Sequence, residues 1–272
     1  MNKKKILMDR SIALMGAICG DIMGSPYTYW RARTKKYDFN PFPPRGRFTD
    51  DTVMSIAVAD WIMHGGNLSK IMQKWGRKYP NAGFGGMFKK WLEEENPEPY
   101  NSFGNGSAMR VSPVGCAFDT FEETLEKAKE SADVTHNHPE GVKGAQATAA
   151  AIFMARTGKS KEEIKKYVSE AFGYNLNRTC DEIRPKYKFD ASCQGSVPES
   201  IICFLSSNDY EDCVRLAVSM GGNADTMGAI AGSVAAAYYG DIPEMIFKKC
   251  LSKLPEDIKE IIEEFRNFNK IN

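Results

Sequence analysis

The stretch that decides the fold lies near the start of the chain and reads, from residue 12 to residue 24, Ile-Ala-Leu-Met-Gly-Ala-Ile-Cys-Gly-Asp-Ile-Met-Gly. Small residues recur along one side of the helix that this stretch predicts: Ala13, Gly16, Ala17, Gly20 and Gly24. A second such stripe follows much later: Ala229, Ala231, Gly232, Ala235 and Ala236. Small side chains let two helix backbones approach closely. We therefore expect these two helices to lie together at the centre of the molecule.

Helical periodicity extends outward from these two helices through most of the chain. Apolar residues fall at helical spacing in two further places: Val53, Ile56, Ala57 and Trp61, and then Ile258, Ile261, Ile262, Phe265 and Phe268. The last helix is predicted to begin at Pro255, since proline favours the first helical position. Further helices are predicted over 68–78, 85–94, 121–132, 139–156, 160–172, 197–206, 210–220, 225–239 and 243–252. Tyr187 to Phe189 is at best one short extended piece. The pattern predicts an all-α protein, a single compact multi-helix bundle over residues 1–272.

Composition excludes several classes of protein. The chain has 272 residues, of which 42% are hydrophobic and 26% charged, with a formal net charge of +1. A charge so close to zero gives no long-range field that would attract nucleic acid. The apolar run from Met227 to Tyr239 is shorter than the roughly 20 residues that span a bilayer. The seven cysteines are scattered, which is typical of reduced thiols. We expect a cytoplasmic monomer without a membrane partner.

Two acidic clusters stand at predicted helix starts. Thr49-Asp50-Asp51-Thr52 opens one helix, and Gly221-Gly222-Asn223-Ala224-Asp225-Thr226 opens the second helix of small residues. Each cluster alone is explained by helix capping and by the favourable position of acids in a first helical turn. If the two helix starts converge, however, their carboxylates and hydroxyls form the all-oxygen ligand set that Mg²⁺ or Mn²⁺ prefers.

Two further motifs stand out along the chain. Taken alone, Gly104-Asn105-Gly106-Ser107-Ala108-Met109 is an ordinary glycine turn before a helix. Thr135-His136-Asn137-His138-Pro139 follows about thirty residues later. A zinc site made by its two histidines is disfavoured, because no third soft ligand lies nearby.

In this order the motifs resemble those of the ADP-ribosylglycohydrolase family, and its short bacterial branch most of all. The resemblance covers residues 11 to 242. It rests on five motifs: residues 16–25, Phe48 to Thr52, Gly104 to Arg110, Thr135 to Pro139 and Gly221 to Thr226. A sixth stretch, Ser192 to Glu199, indicates the bacterial branch. It implies an all-α bundle with a metal-centred cleft that holds two Mg²⁺ ions, and hydrolysis of the C1″ bond of an ADP-ribosylated protein or small molecule, with arginine as the first acceptor to consider.

The resemblance also implies a role for individual residues. The metal ligands would be Thr49, Asp50, Asp51, Asn223, Asp225 and Thr226, and the catalytic carboxylates would be Asp50, Asp51 and Asp225. The residues that bind ADP-ribose would be Gly104, Asn105, Gly106, Ser107, Met109, His136 and Thr28. By the same resemblance, the glycine-rich loop would bind the diphosphate through accessible backbone N–H groups, and His136 would contact the phosphates.

The sequence departs from the family pattern at two positions near the metals. Thr28 stands where the family usually has glutamate, and Asn223 where it usually has aspartate. An amide can offer an oxygen to a metal, but it cannot act as a base or neutralise charge. The alternatives are therefore an adapted hydrolase with one or two metal ions, an ADP-ribose-binding pseudoenzyme, and a hydrolase of another N-glycoside. The aromatic run Tyr27, Tyr29 and Trp30 is either loop packing or a clasp for a different substrate.

Overall fold

The computed structural model describes residues 11–29 and 31–271, so Trp30 of the aromatic run lies outside the described residues. The described chain forms fifteen α-helices and no β-strand. They are α1 Ile12–Gly24, α2 Asp50–His64, α3 Leu68–Lys78, α4 Gly86–Glu93, α5 Gly106–Met109, α6 Ser112–Ala117, α7 Phe121–Asp133, α8 Pro139–Arg156, α9 Lys161–Phe172, α10 Cys180–Ile183, α11 Cys193–Ser206, α12 Tyr210–Ser219, α13 Ala224–Tyr239, α14 Glu244–Leu251 and α15 Glu256–Ile271. The predicted all-α class is confirmed.

The centre of the bundle is the contact between α1 and α13. A Cβ atom added to Gly20 would lie 2.0 Å from the carbonyl oxygen of Gly228, and one added to Gly24 would lie 2.1 Å from that of Ala224. Only hydrogen fits in such a space, so the two backbones touch without intervening side chains. The prediction from the two stripes of small residues is confirmed. The contact also fixes Asp21 of α1 beside the first turn of α13.

The other helices surround this pair. Helices α2, α6, α12 and α14 contact α1, while α8, α11 and α12 contact α13. The buried hydroxyl of Tyr210 donates to the carbonyl oxygen of Gly16 at 2.8 Å and so ties α12 to α1. Among the described helices, none is both long and apolar enough to cross a membrane.

The helix bounds depart from prediction in a few places. Helix α11 begins at Cys193, one turn before the predicted start, because the Ser192 side chain caps it by accepting from the N–H of Gly195. Pro198 therefore lies inside a helix, where it removes one backbone hydrogen bond. The short helices α5, α6 and α10 were not predicted, and residues 187–189 are not a strand. The last helix begins at Glu256, one residue after the predicted Pro255.

Candidate functional site

Three helices bring one carboxylate each to a common point. Asp21 comes from the last turn of α1, Asp51 from the first turn of α2 and Asp225 from the first turn of α13. Each offers a carboxylate oxygen, and the three oxygens lie within 4.8 Å of one another. All three residues are buried. The predicted convergence of the two acidic helix starts is present in the structure, and Asp21 adds a carboxylate that the sequence analysis missed.

Asp21 links α1 to the start of α2. Its Oδ2 accepts from the N–H of Thr49 at 2.9 Å and from the hydroxyl of Thr52 at 2.5 Å, while its Oδ1 accepts from the Thr49 hydroxyl at 2.8 Å. Burial raises the pKa of Asp21 to about 7, with a further contribution from the charge of Asp225. A signal was present in the sequence, because Asp21 is the one charged residue in the apolar helix α1, and buried charge requires a partner.

Asp51 provides the test of whether a cation fits. Its Oδ1 is buried and has no hydrogen-bond partner, while its Oδ2 accepts from the hydroxyl of Thr226 at 3.3 Å. Burial and the charges of Asp225, Asp21 and Asp50 raise its pKa well above the usual value. A hard divalent cation would satisfy the unpartnered oxygen and remove the repulsion. The residues present therefore fit a metal ion.

Asp50 stands apart from the group of three carboxylates. It follows Thr49, which caps α2 as predicted by accepting from the N–H of Asp51. The N–H of Asp50 donates to the carbonyl oxygen of Ala82 at 3.1 Å, and its carboxylate faces the cleft beside Gly83. Burial raises the pKa of Asp50 to about 8, helped by the charges of Asp225 and Asp21. A carboxyl group that titrates near neutral pH suits general acid–base chemistry.

The two residues that depart from the family pattern lie on either side of Asp225. Asn223 uses its amide Nδ2 to donate to the hydroxyl of Thr226 at 3.1 Å. Thr28 uses its hydroxyl to accept from the backbone N–H of Asp225 at 3.1 Å. Both side chains thus hold the first turn of α13 in place, and both face the cleft.

One cleft of about 610 Å³ joins the carboxylates to the glycine-rich loop. This volume is within the range of roughly 300–1,000 Å³ that is typical of small-ligand sites. Of the residues predicted from the sequence, those that line it are Thr28, Thr49, Asp50, Asp51, Gly104, Asn105, Gly106, Met109, His136, Asn223, Asp225 and Thr226. Ser107 is the exception: it is fully buried behind the loop, and its hydroxyl donates to the carbonyl oxygen of Gly141 at 2.7 Å.

The glycine-rich loop is held rigidly against α11 and His136. Asn105 donates through its backbone N–H to the carbonyl oxygen of Ala191 at 2.7 Å, and through Nδ2 to the hydroxyl of Ser196 at 3.0 Å. A Cβ atom added to Gly106 would lie 2.9 Å from Nε2 of His136. Glycine is therefore required where the backbone passes under the histidine ring.

His136 is buried and uncharged. Its Nδ1 lies 2.7 Å from the hydroxyl of Thr135, and burial together with the nearby charge of Arg110 lowers the pKa of the ring well below its usual value.

Arg110, which the sequence analysis did not assign to the site, lies almost wholly buried at the cleft wall with Nε unpartnered. Its Nη2 donates to Ser131 and Thr135, and burial lowers its pKa to about 10. The charge of Arg110 thus acts beside the loop, where it favours the neutral ring of His136.

The fold and the cleft together define an all-α protein with a small-ligand site that contains buried carboxylates able to hold a cation. The chain belongs to the ADP-ribosylglycohydrolase family, whose family model matches residues 5–270. The resemblance seen in the sequence is confirmed. The protein is an ADP-ribosylglycohydrolase-type enzyme.

The relatives are distant but cover most of the chain. The human ADP-ribosylhydrolase ARH3 is 23% identical, covering 87% of each chain. The ADP-ribosylarginine hydrolase Tri1 of Pseudomonas putida is 27% identical over 84% of this chain and 70% of its own length. The ADP-ribosyl-[dinitrogen reductase] glycohydrolase of Rhodospirillum rubrum is 26% identical over 80% of this chain and 78% of its own. A solved structure titled "ADP-ribosylglycohydrolase-related protein complex" shares the fold with a TM-score of 0.74 and 22% identity, covering 97% of this chain and 98% of that chain.

Proposed function

We propose that the protein releases ADP-ribose from ADP-ribosylated arginine by Mg²⁺-dependent hydrolysis of the bond to C1″ of the distal ribose. The observation that carries the proposal is the cleft itself, which is lined by Asp51 and Asp225 of the group of three carboxylates, by the glycine-rich loop and by His136. The names of the relatives support an ADP-ribosylated substrate, and that of Tri1 supports arginine as the acceptor.

The metal would be held by Asp21, Asp51 and Asp225, with hydroxyls of Thr49 and Thr226 beside them. Mg²⁺ fits a group of buried carboxylates and hydroxyls because it prefers hard oxygen ligands, and Mn²⁺ accepts the same set. Such ions, one or two in number, supply electrostatic binding of a sugar diol and lower the pKa of water. Asn223 leaves the site with one carboxylate fewer than the family pattern, so the second ion is expected to bind more weakly than the first.

The other groups of the cleft bind the substrate and move the proton. The loop from Gly104 to Met109 would bind the diphosphate through backbone N–H groups, with the neutral ring of His136 as a further hydrogen-bond partner. Asp50 would orient the attacking water and take its proton, since its carboxylate faces the cleft outside the group of three carboxylates. The nearby carboxylates would stabilise the positive charge that develops on the ribose ring in an oxocarbenium-like transition state.

The experiment is the release of free ADP-ribose from an arginine-ADP-ribosylated protein, measured with Mg²⁺ and with chelator. We expect release with Mg²⁺, none with chelator, and a loss of at least a hundredfold in Asp51→Asn. Asp133→Asn, a matched change at the last residue of α7 and outside the cleft, serves as the control and keeps the wild-type rate. Chelator-resistant release would refute the metal dependence. Release from ADP-ribosylated serine or a nucleoside but not from arginine would refute the acceptor and favour another N- or O-glycoside.

The second candidate function is an ADP-ribose-binding pseudoenzyme. The observation that favours it is the pair Asn223 and Thr28, whose side chains bind within the first turn of α13 where the family pattern has acids. Restoring the acid in Asn223→Asp separates the two candidates. A pseudoenzyme gains Mg²⁺-dependent hydrolysis from the new carboxylate, whereas an adapted enzyme gains little or loses activity. ADP-ribose binding by wild-type protein without any turnover would support the pseudoenzyme.

A further inference from the structure

The outer end of the cleft is lined by apolar and positively charged side chains. Three of the large hydrophobic side chains that are exposed among the described residues line this one cleft: Tyr29 at 62% exposure, Met87 at 63% and Phe189 at 42%. Arg45 and Arg47 line it with them. These five residues are called the mouth of the cleft below. Tyrosine, methionine, phenylalanine and arginine are the residue types enriched where proteins bind each other.

The two arginines of the mouth lack acidic partners. Within the described parts of the chain, no ion pair joins Arg45 or Arg47 to a carboxylate. The polar contact of the Arg47 guanidinium is with the Tyr29 hydroxyl at 3.5 Å. By contrast, Arg215 of α12, which donates to the carbonyl oxygen of Phe39, pairs with Glu211. Of the carboxylates that line the cleft, Asp51 and Asp225 are buried. The mouth therefore presents uncompensated positive charge to whatever protrudes from the cleft.

The mouth adjoins the position of the bond to be cleaved. Arg47 precedes Thr49, the cap of α2, by two residues, and its N–H donates to the Ser25 hydroxyl at 3.1 Å. Thr28 of the same segment contacts Asp225. The diphosphate loop, by contrast, lies against His136 and Arg110. Arg45 and Arg47 consequently lie on the side of the carboxylates, where the acceptor leaves the cleft, whereas the loop can bind phosphate through its backbone N–H groups.

The loop between α1 and α2, which carries Tyr29, Arg45 and Arg47 of the mouth, is tied to neighbouring segments. Lys35 donates to the carbonyl oxygens of Arg184 and Tyr187 at 2.6 and 2.7 Å. Arg33 stacks over the ring of Phe189 at 4.5 Å. Lys253 donates to the carbonyl oxygen of Gly46, between the two arginines of the mouth, at 2.7 Å. Because the surface is preorganised, little entropy is lost when a partner binds to it.

From these observations we infer that the mouth docks a polypeptide acceptor with acidic residues on either side of the ADP-ribosylated side chain, the apolar groups packing on its backbone and Arg45 and Arg47 pairing with its carboxylates. The inference rests on the proposed hydrolysis. It adds that the enzyme selects its protein substrates by the charge around the modified residue, so that an acidic neighbourhood is preferred over a basic one.

The test uses one ADP-ribosylated arginine peptide in three versions, with glutamates, glutamines or lysines beside the modified residue. For wild-type protein we expect kcat/KM for the glutamate version to exceed that for the lysine version about tenfold at low salt, and less at 0.15 M, because exposed pairs are weak and screened. In Arg45→Gln/Arg47→Gln the ratio falls to about twofold. The control variant is Arg31→Gln/Lys36→Gln, which removes the same charge from exposed positions of the same loop that do not line the cleft. We expect this control to keep the wild-type ratio.

Binding of the same peptides is measured by fluorescence anisotropy, so that charge preference is read even without turnover. A wild-type ratio near one in both assays overturns the inference, and so does an equal loss of preference in the control variant. If Arg45→Gln/Arg47→Gln weakens the binding of free ADP-ribose as much as the binding of the glutamate peptide, the two arginines bind the nucleotide and not the acceptor. The inference is then wrong. Charge-selective binding without hydrolysis of any peptide supports the inference and refutes the proposed activity.

Discussion

The backbone contact between Gly20 and Gly228 predicts a large effect for a single methyl group. In Gly20→Ala the new Cβ would lie 2.0 Å from the carbonyl oxygen of Gly228 and 2.4 Å from its carbonyl carbon. Both are helix backbone atoms, which cannot rotate away, so α1 and α13 must separate. Overpacking typically costs about 1–3 kcal/mol, and contact with backbone places this variant at or above the upper end. Alanine regains about 1 kcal/mol of helix propensity.

We therefore expect Gly20→Ala to lower the free energy of unfolding by about 2 kcal/mol, which corresponds to a fall in Tm of roughly 4–8 °C for a chain near this size. Thermal unfolding followed by circular dichroism, with chelator present, measures the effect without any contribution from metal. The separation also moves Asp21 away from Asp225, so the stabilisation by added Mg²⁺ should shrink as well.

Gly86→Ala is the matched control, because a Cβ at Gly86 meets nothing within 4 Å. It also lies in a helix, at the first position of α4. This variant should unfold within about 0.5 kcal/mol of wild type. If Gly20→Ala is as stable as Gly86→Ala, the helices tolerate separation and the close-contact account of the fold is wrong.

Three further predictions concern the site. Asp21→Asn should abolish the rise in Tm that Mg²⁺ gives wild-type protein, because one of three clustered carboxylates is lost; an undiminished rise would remove Asp21 from the metal site. His136 is neutral when folded, whereas the unfolded chain binds a proton there below about pH 6.5. Wild-type stability should therefore fall as pH drops below that value, and urea unfolding of His136→Gln should show a shallower fall; parallel slopes would contradict the burial argument. Arg110→Gln removes a charge that lowers the pKa of His136, so the NMR titration of that ring should move to higher pH, and an unchanged titration would leave burial as the whole cause.

Helices were predictable from sequence where local signals agree. Helix α3 has the predicted bounds because its periodicity begins just after Asn67, whose side chain caps it by accepting from the N–H of Lys70. Helix α8 has the predicted bounds because His138 caps it and Pro139 occupies the first position. At α11 the signals conflict: proline is favoured in the first turn of a helix, which is compatible with the predicted range 197–206, while the Ser192 cap starts the helix one turn earlier. A rule based on neighbouring residues cannot compare the cost of a proline inside the helix with the stabilisation that an earlier cap and tertiary packing provide.

The acidic residues of α2 and α13 were predictable because each cluster combines carboxylates with a helix start and belongs to a recognisable motif. Asp21 was missed because its role depends on a contact between distant segments, which spacing along one helix does not reveal. The signal available in the sequence was that Asp21 is the one charged residue of an otherwise apolar helix. Arg110 was missed because an arginine after a glycine loop gives no local sign that it will be buried.

The close pairing of α1 and α13 has a consequence for the nascent chain. About 200 residues separate Gly24 from Ala224, which at ribosomal speed corresponds to roughly 10–40 s of synthesis. Throughout that interval the apolar first helix has emerged but its partner has not, and contacts of such long sequence range form slowly. The N-terminal segment is thus the part of the chain that most needs protection by chaperones, and the carboxylate cluster can assemble only after most of the chain has been made.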